Sequence, residues 1–180
     1  MAMIRVWMIL VAVLLSACGS SSPTGGVATA SGSTAVVTGS VVAGTVNNGI
    51  VTATLGAGQS RTAFVHGDSF QLTVPLAWLA SPLAFSVTGN YRDEVSGQSV
   101  SLQNSPLQLH TTANSLASAG GHVAITPDST LIALLVQQGM TDASANQLFQ
   151  SQFGYTPVLN AHPFDPYATM PAQAAGLMAA

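Results

Sequence analysis

The sequence predicts a mainly β protein, an antiparallel β-sandwich followed by a small C-terminal helical segment. Two observations lead to this prediction. Short apolar runs recur between Ala35 and Ile125, and Gly, Asn and Pro residues separate them at turn-like intervals. After Ile125 the apolar residues change to helical spacing. About 90 residues of strand-like sequence are enough for a core between two sheets.

The strand predictions follow the apolar runs in order. The clearest is Phe70–Val74, which alternates apolar and polar residues and stops at Pro75. Asn47, Asn48 and Gly49 predict a turn before the run at Ile50–Leu55. The remaining predicted strands are a first one around Val36–Val42, then Ser60–His66, Leu83–Gly89, Ser99–Leu102, Leu107–Thr111 and His122–Ile125.

Two short helices are predicted between residues 126 and 154. Thr126 and Pro127 provide an N-cap and a first-turn proline for the first helix. We expect its apolar face to contain Leu131, Leu134 and Leu135, and Gly139 to end it. The second helix begins at Thr141 and Asp142 and ends at Gly154, and its expected apolar face is Ala145, Leu148, Phe149 and Phe153.

The N-terminus has the organisation of an export signal. Arg5 is followed by an apolar run from Val6 to Leu15, and small residues and the single cysteine, Cys18, close the segment. The run of about ten residues is half the length that a membrane-spanning helix needs. The expected organisation is a signal peptide at 1–17, a flexible Gly/Ser/Thr linker at 18–34, the sandwich at 35–125, the helices at 126–154 and an irregular Pro/Ala-rich tail at 155–180.

The charge content excludes one class of partner. The chain has three Lys and Arg residues against six Asp and Glu residues, and all three cations are arginines. With Arg5 removed, only Arg61 and Arg92 would remain to contact phosphates. Nucleic acid is therefore not an expected partner.

Leu15-Ser16-Ala17-Cys18 resembles the lipobox of bacterial lipoprotein precursors. The resemblance implies cleavage before Cys18, attachment of lipid to Cys18 and anchoring in the cell envelope. Gly19 follows the cysteine where enterobacterial proteins retained in the inner membrane have Asp, which favours the outer membrane. Acyl chains hold a protein on a bilayer by about 0.8 kcal/mol per buried CH₂, and several chains are needed for stable anchoring.

A second resemblance concerns the sandwich. Val41–Val46, Val51–Ala53 and Gly67–Leu72 resemble carboxypeptidase-regulatory-like and related Ig-like sandwich modules. Together with Gly89–Gly97, Ile125-Thr126-Pro127, Phe153-Gly154 and Asp165-Pro166, they resemble uncharacterised proteobacterial secreted proteins and lipoproteins. In that group Leu and Thr follow the Ile-Thr-Pro stretch, whereas this chain has Asp128 and Ser129. The resemblance implies an Ig-like fold and an envelope location, and no reaction.

Several residues are candidates for a catalytic or metal-binding role. Gly67-Asp68-Ser69-Phe70 matches the nucleophile block of GDSL-type hydrolases in letters, but the late Asp-x-x-His of that family is absent and a strand follows Ser69, which favours a turn. None of the four histidines, His66, His110, His122 and His162, has metal-ligand spacing.

The other polar and aromatic candidates also have simpler interpretations. Asp93 and Glu94 are interpreted as solvated turn charges, with a calcium site as the alternative. Trp78 is expected in the core, and Tyr91 and Tyr155 are the residues that could stack on a sugar.

The predicted function is that of a lipid-anchored envelope protein with a non-catalytic binding or structural sandwich. Cys18 is the lipid attachment site, no catalytic, cofactor or metal site is assigned, and the expected partners are the membrane and an envelope protein. The alternatives are a surface glycan-binding module and a hydrolase that uses Ser69.

Overall fold

A computed structural model describes residues 32–160 except Ala57 and Glu94. The described chain is mainly strands arranged in two sheets, which confirms the predicted mainly β fold class. Its strands are β1 (Thr34–Val41), β2 (Thr45–Leu55), β3 (Gln59–Phe64), β4 (Ser69–Pro75), β5 (Leu83–Arg92), β6 (Ser99–Ser101), β7 (Leu107–Thr111) and β8 (His122–Ile125). Its helices are α1 (Ala113–Ser118), α2 (Pro127–Gln137), α3 (Asp142–Phe153) and a 3₁₀ helix at Leu76–Ala80.

The first sheet has three strands in the order β4-β1-β8. The second has the order β3-β2-β5, and both β7 and β6 pair with the far edge of β5. All pairs are antiparallel within the described residues except β1 and β8, which are parallel. This pair departs from the all-antiparallel prediction because the chain crosses from one sheet to the other between β7 and β8, through α1, instead of turning back as a hairpin.

One apolar core lies between the two sheets. Leu72 and Val74 of the first sheet and Phe85 and Val87 of the second are all at most 2% exposed. Gly39 of β1 makes this packing possible, since a Cβ at that position would lie 2.6 Å from the ring of Phe70. The alternating burial of β4 and β5 places every second side chain in this core, as the sequence pattern predicted.

The predicted turn at Asn47–Gly49 is wrong. These residues lie inside β2, where the pairing register with β5 shifts between Asn47 and Ile50. Asn48 has a φ of 52°, and the facing Gly89 of β5 has a φ of 127°. The residues that suit a turn therefore form a β-bulge in β2. The left-handed backbone positions of Asn48 and Gly89 allow β2 and β5 to remain paired on both sides of the bulge.

The two predicted helices are confirmed. Thr126 caps α2, and Ser129 completes a capping box by accepting from the Thr126 main-chain N–H. Thr141 caps α3, and Gly154, with a φ of 79°, ends it.

The predicted apolar faces of these helices are partly wrong. Leu131 and Leu134 of α2 are 44% and 39% exposed, whereas Ile132 is buried. In α3, Phe149 is buried as predicted, and Phe153 is 45% exposed. The buried stripes are shifted because α2 docks on β7 through its first turn and packs Ile132 against Ala145 and Phe149 of α3.

No helix in the described part of the chain is long and apolar enough to cross a bilayer. Cys18, the predicted signal peptide, most of the predicted linker and His162 lie outside the described residues.

Candidate binding groove

A groove lies where β3 and β4 separate into different sheets. Its volume is about 580 Å³. The two strands begin as a hairpin at His66 and Ser69, and β3 then continues in the five-stranded sheet while β4 continues in the three-stranded sheet. The groove is lined by Thr62, Ala63, Phe64, His66, Ser69, Phe70, Gln71 and Thr73.

The main chain of β3 presents hydrogen-bonding groups to this groove that have no strand partner in the described part of the chain. Val65 N donates to Gly49 O at 2.9 Å, so odd-numbered residues of β3 bond to β2. The even-numbered residues of β3, which include Thr62 and Phe64, direct both their main-chain N–H and their C=O away from β2. β3 is a terminal strand of its sheet among the described residues, so no neighbouring strand takes up these groups there.

The edge of β4 has the same character. Val41 N donates to Asp68 O at 2.7 Å, which assigns the even-numbered residues of β4 to the ladder with β1. Ser69, Gln71 and Thr73 therefore direct their main-chain groups outward. The main-chain groups of Ser69 bond to His66 in the hairpin, whereas those of Gln71 and Thr73 lie on the open part of the β4 edge.

The groove is uncharged, and one of its two phenylalanine side chains is exposed. None of its lining residues is Asp, Glu, Lys or Arg. Phe64 is 67% exposed on the β3 side. A large apolar side chain that is exposed beside polar neighbours and two unpaired strand edges is typical of an interaction surface.

The Ser69 hydroxyl lies in a tight hairpin. His66 N donates to Ser69 O at 2.8 Å, Ser69 N donates to His66 O at 3.2 Å, and Gly67 has a φ of 69°. Ser69 Oγ donates to the main-chain oxygen of His66 at 3.2 Å. The segment is thus the Gly-Asp turn between two strands that the sequence favoured, whereas a GDSL-type nucleophile lies between a strand and a helix.

Two of the histidines line a different cleft, of about 380 Å³, together with the segment Pro157–Asn160. His110 Nδ1 lies 2.8 Å from Asp142 Oδ1, which links β7 to the first residue of α3. His122 Nδ1 lies 3.0 Å from Thr38 Oγ1, across the β8–β1 pair. No group of three potential His, Cys, Asp or Glu metal ligands occurs in the described part of the chain.

Asp93 has a structural use in its turn. Asp93 Oδ1 accepts from Val95 N, from Ser96 N and from Ser96 Oγ, at 3.0, 2.7 and 2.9 Å. The main-chain N–H of Ser96 is the main reason why the pKa of Asp93 is lowered. The carboxylate thus closes the turn before β6. Glu94, the other residue of the solvated-turn interpretation, lies outside the described residues.

All three singled-out aromatic residues contribute to the packing of the fold. Trp78 is 3% exposed in the core, as predicted, and Arg61 Cζ lies 5.5 Å from its ring centroid. Tyr155 donates its hydroxyl to Asp128 Oδ2 at 2.9 Å and meets the Phe149 ring edge-on at 5.4 Å. Tyr91 packs against the core and is half-buried.

The Asp128–Tyr155 pair connects the start of α2 to the chain after α3. Asp128 is buried, and this burial raises its pKa, while the hydrogen bond from Tyr155 acts in the opposite direction. Burial and the nearby Asp128 carboxylate raise the pKa of Tyr155.

No protein family, curated protein or solved structure matches this chain. Nothing in the sequence marks Thr62, Phe64, Gln71 and Thr73 as a site. The only signal available was the alternation that marks Phe70–Val74 as a strand, and alternation does not tell which strands end a sheet.

Proposed function

We propose that the chain is a lipid-anchored cell-envelope protein whose β-sandwich binds another molecule and has no catalytic role. Cys18 is the proposed lipid attachment site, and the outer membrane is the proposed location. We also propose that the sandwich is one of the Ig-like modules that it resembles, an assignment supported by its two facing sheets.

The observation that carries the binding role is the groove between β3 and β4. It combines a volume of about 580 Å³, an uncharged lining and an exposed Phe64. Sheet edges and exposed apolar side chains are costly to leave open, because both promote unwanted association. A domain that keeps them open is well suited to contact a specific partner.

The anchoring role rests on Leu15-Ser16-Ala17-Cys18 after a short apolar run. A single cysteine in an exported chain would otherwise be a free thiol with no disulfide partner. Lipidation accounts for its position and for the absence of a second cysteine.

The hairpin position of Ser69 supports the non-catalytic assignment. Nucleophilic serine catalysis needs a base that takes the hydroxyl proton. The Ser69 Oγ instead donates to a main-chain carbonyl. We therefore expect Ser69→Ala to turn over a panel of ester substrates at the same background rate as the unchanged protein. Turnover that is lost in this variant would support the hydrolase alternative.

Replacement of Cys18 tests the anchor. In Cys18→Ser we expect the acylated mass to disappear and the protein to leave the membrane fraction, because the serine oxygen is not acylated by the lipoprotein pathway. Ser20→Ala is the matched control, since it changes a small residue just after the cysteine. Intact mass spectrometry and fractionation of the host envelope measure both properties. An unchanged mass and distribution in Cys18→Ser would refute the anchor.

A further inference from the structure

Within the described residues, the fold covers the edges of β7 and β8 and leaves those of β3 and β4 open. At β7, the first turn of α2 supplies the missing partners: Gln108 N donates to Thr130 Oγ1 at 2.8 Å, and Ser129 Oγ donates to Gln108 O at 2.6 Å. At β8, Ala124 N donates to Leu159 O at 2.9 Å. Covered edges of this kind prevent pairing with other chains.

β3 and β4 have no such cover within the described residues, and their open edges face one groove. The hairpin register begun by His66 and Ser69 would pair Phe64 with Gln71 and Thr62 with Thr73 if the strands stayed together. The strands instead diverge into separate sheets. Among the described residues, each therefore keeps a row of N–H and C=O groups without a strand partner, and these groups point towards the space between the two strands.

We propose that this groove binds an extended, uncharged polypeptide segment of a second protein by strand addition. The proposal rests on the binding role above and names its partner class. The incoming segment forms main-chain hydrogen bonds with Thr62 and Phe64 on β3, or with Gln71 and Thr73 on β4. Its apolar side chains contact the exposed ring of Phe64.

The pattern of donors and acceptors is the reason for a polypeptide partner. Outward-facing groups on a strand recur every second residue, at a spacing of about 6.8 Å, and each position offers one N–H and one C=O. Another extended chain has the same repeat and the complementary groups. Strand addition is an established mode of peptide recognition, in which main-chain bonds give affinity and side-chain contacts give specificity.

The lining defines the composition of the segment. The groove walls hold Thr, Ser, Gln, Ala and Phe side chains and one His, and no fully charged residue. A Lys, Arg, Asp or Glu side chain on the inserted segment would lose hydration without gaining an ion pair. Ser, Thr, Gly and apolar residues fit this lining.

The test uses the purified full-length chain and a library of random nonapeptides. We expect enrichment of peptides that lack charges and alternate apolar with small polar residues. In hydrogen exchange, binding of an enriched peptide is expected to protect the amides of Thr62 and Phe64 or those of Gln71 and Thr73. The amide of Val51, inside the β2 ladder, serves as the internal reference.

Proline variants separate main-chain pairing from side-chain contact. Thr62→Pro and Thr73→Pro remove outward N–H groups, a change that edge strands tolerate, and each closes one edge. We expect at least one of them to weaken peptide binding by about tenfold or more, while Thr62→Ala and Thr73→Ala retain it. If a proline variant fails to fold, the unchanged protein can be tested with enriched peptides that are N-methylated at alternate residues. The methyl groups can be placed on either of two alternating sets of amides, and one of these two sets contains the N–H groups that pair with the strand edge. Only the peptide methylated on that set is expected to lose binding.

The outcomes are distinct. The strand-addition proposal is overturned if no peptide is enriched. It is also overturned if the enriched peptides protect none of the four amides and bind both proline variants as well as they bind the unchanged protein. A polysaccharide that binds the chain and is lost in Phe64→Ala would overturn it while leaving the binding role intact. Failure of peptides and polysaccharides alike to bind would contradict the proposed binding role as well.

Discussion

Asp128 is a buried carboxyl group whose ionisation affects the stability of this domain. It lies buried in the first turn of α2 with one hydrogen-bond donor, the Tyr155 hydroxyl, at 2.9 Å. A carboxylate near a helix N-terminus is favoured by the helix dipole, but burial disfavours its charge, and burial determines the direction of the pKa shift.

The raised pKa of Asp128 has a defined consequence for pH dependence. The folded state retains the proton at a pH where the unfolded chain, with a pKa of 3.8, has lost it. The contribution of Asp128 to stability therefore falls as the pH rises from 3.8 through the folded-state pKa. The charged carboxylate therefore contributes less to stability than the protonated form does.

We predict that Asp128→Asn reduces this pH dependence. The amide oxygen still accepts from Tyr155, and no buried charge forms at neutral pH. The unfolding free energy of the variant minus that of the unchanged protein should decrease as the pH is lowered from 7 to 4, as measured by urea denaturation. Tyr155→Phe is the opposing control: it removes the donor, raises the pKa of Asp128 further and should increase the pH dependence. A difference that is constant with pH would contradict the prediction.

At the scale of elements, the junction between α2 and β7 decides whether the helices stay on the sandwich. Ser129 is fully buried, accepts from Thr126 N at 2.9 Å and lies 2.6 Å from Gln108 O. It thus completes the capping box and covers a strand edge at the same time. Helices of 11 and 12 residues are marginal in isolation, so α2 and α3 depend on this docking.

Ser129→Ala is predicted to destabilise the protein by about 1–3 kcal/mol, since it leaves the buried Thr126 N–H and Gln108 C=O without this hydroxyl. The matched control is Ser144→Ala in α3, where the serine is exposed and a change within about 0.5 kcal/mol is expected. Equilibrium urea unfolding measures both. Equal effects of the two variants would show that the junction is not a principal contact.

The strands and the two C-terminal helices could be predicted from sequence because their signals are local. Alternation identifies β4, and Thr126 with Pro127 identifies the start of α2. The bulge at Asn47–Gly49 could not be separated from a turn, because both use left-handed backbone positions and the choice depends on the distant Gly89. The groove could not be predicted because edge status depends on strand order, which is a long-range property.

At the scale of the whole molecule, the parallel pair of β1 with β8 joins the beginning and the end of the sandwich. Val41 of β1 is the register partner of Ile125 of β8, and both are fully buried. The first sheet therefore has only two of its three strands until β8 is in place.

This arrangement predicts the response to truncation. A chain that ends at Gly121 lacks β8, α2 and α3, and we expect it to lose cooperative unfolding, because β1 and the edge of β7 are uncovered. A chain that ends at Asn160 retains every element described here and is the matched control. Thermal unfolding followed by circular dichroism distinguishes the two. A cooperative transition in the shorter chain would contradict this view of the first sheet.

The adjacency of β1 and β8 also has a kinetic consequence. A polypeptide emerging amino-terminus first, from a ribosome or through a translocation pore, exposes the valines of β1 more than 80 residues before Ile125 can cover them. Native pairing between such distant segments is intrinsically slow, on the order of milliseconds to seconds for β-rich domains. During that interval the nascent chain can still pass through a translocation pore, and its exposed valines promote aggregation. A chaperone that binds the unfolded chain would therefore benefit its maturation most at this stage.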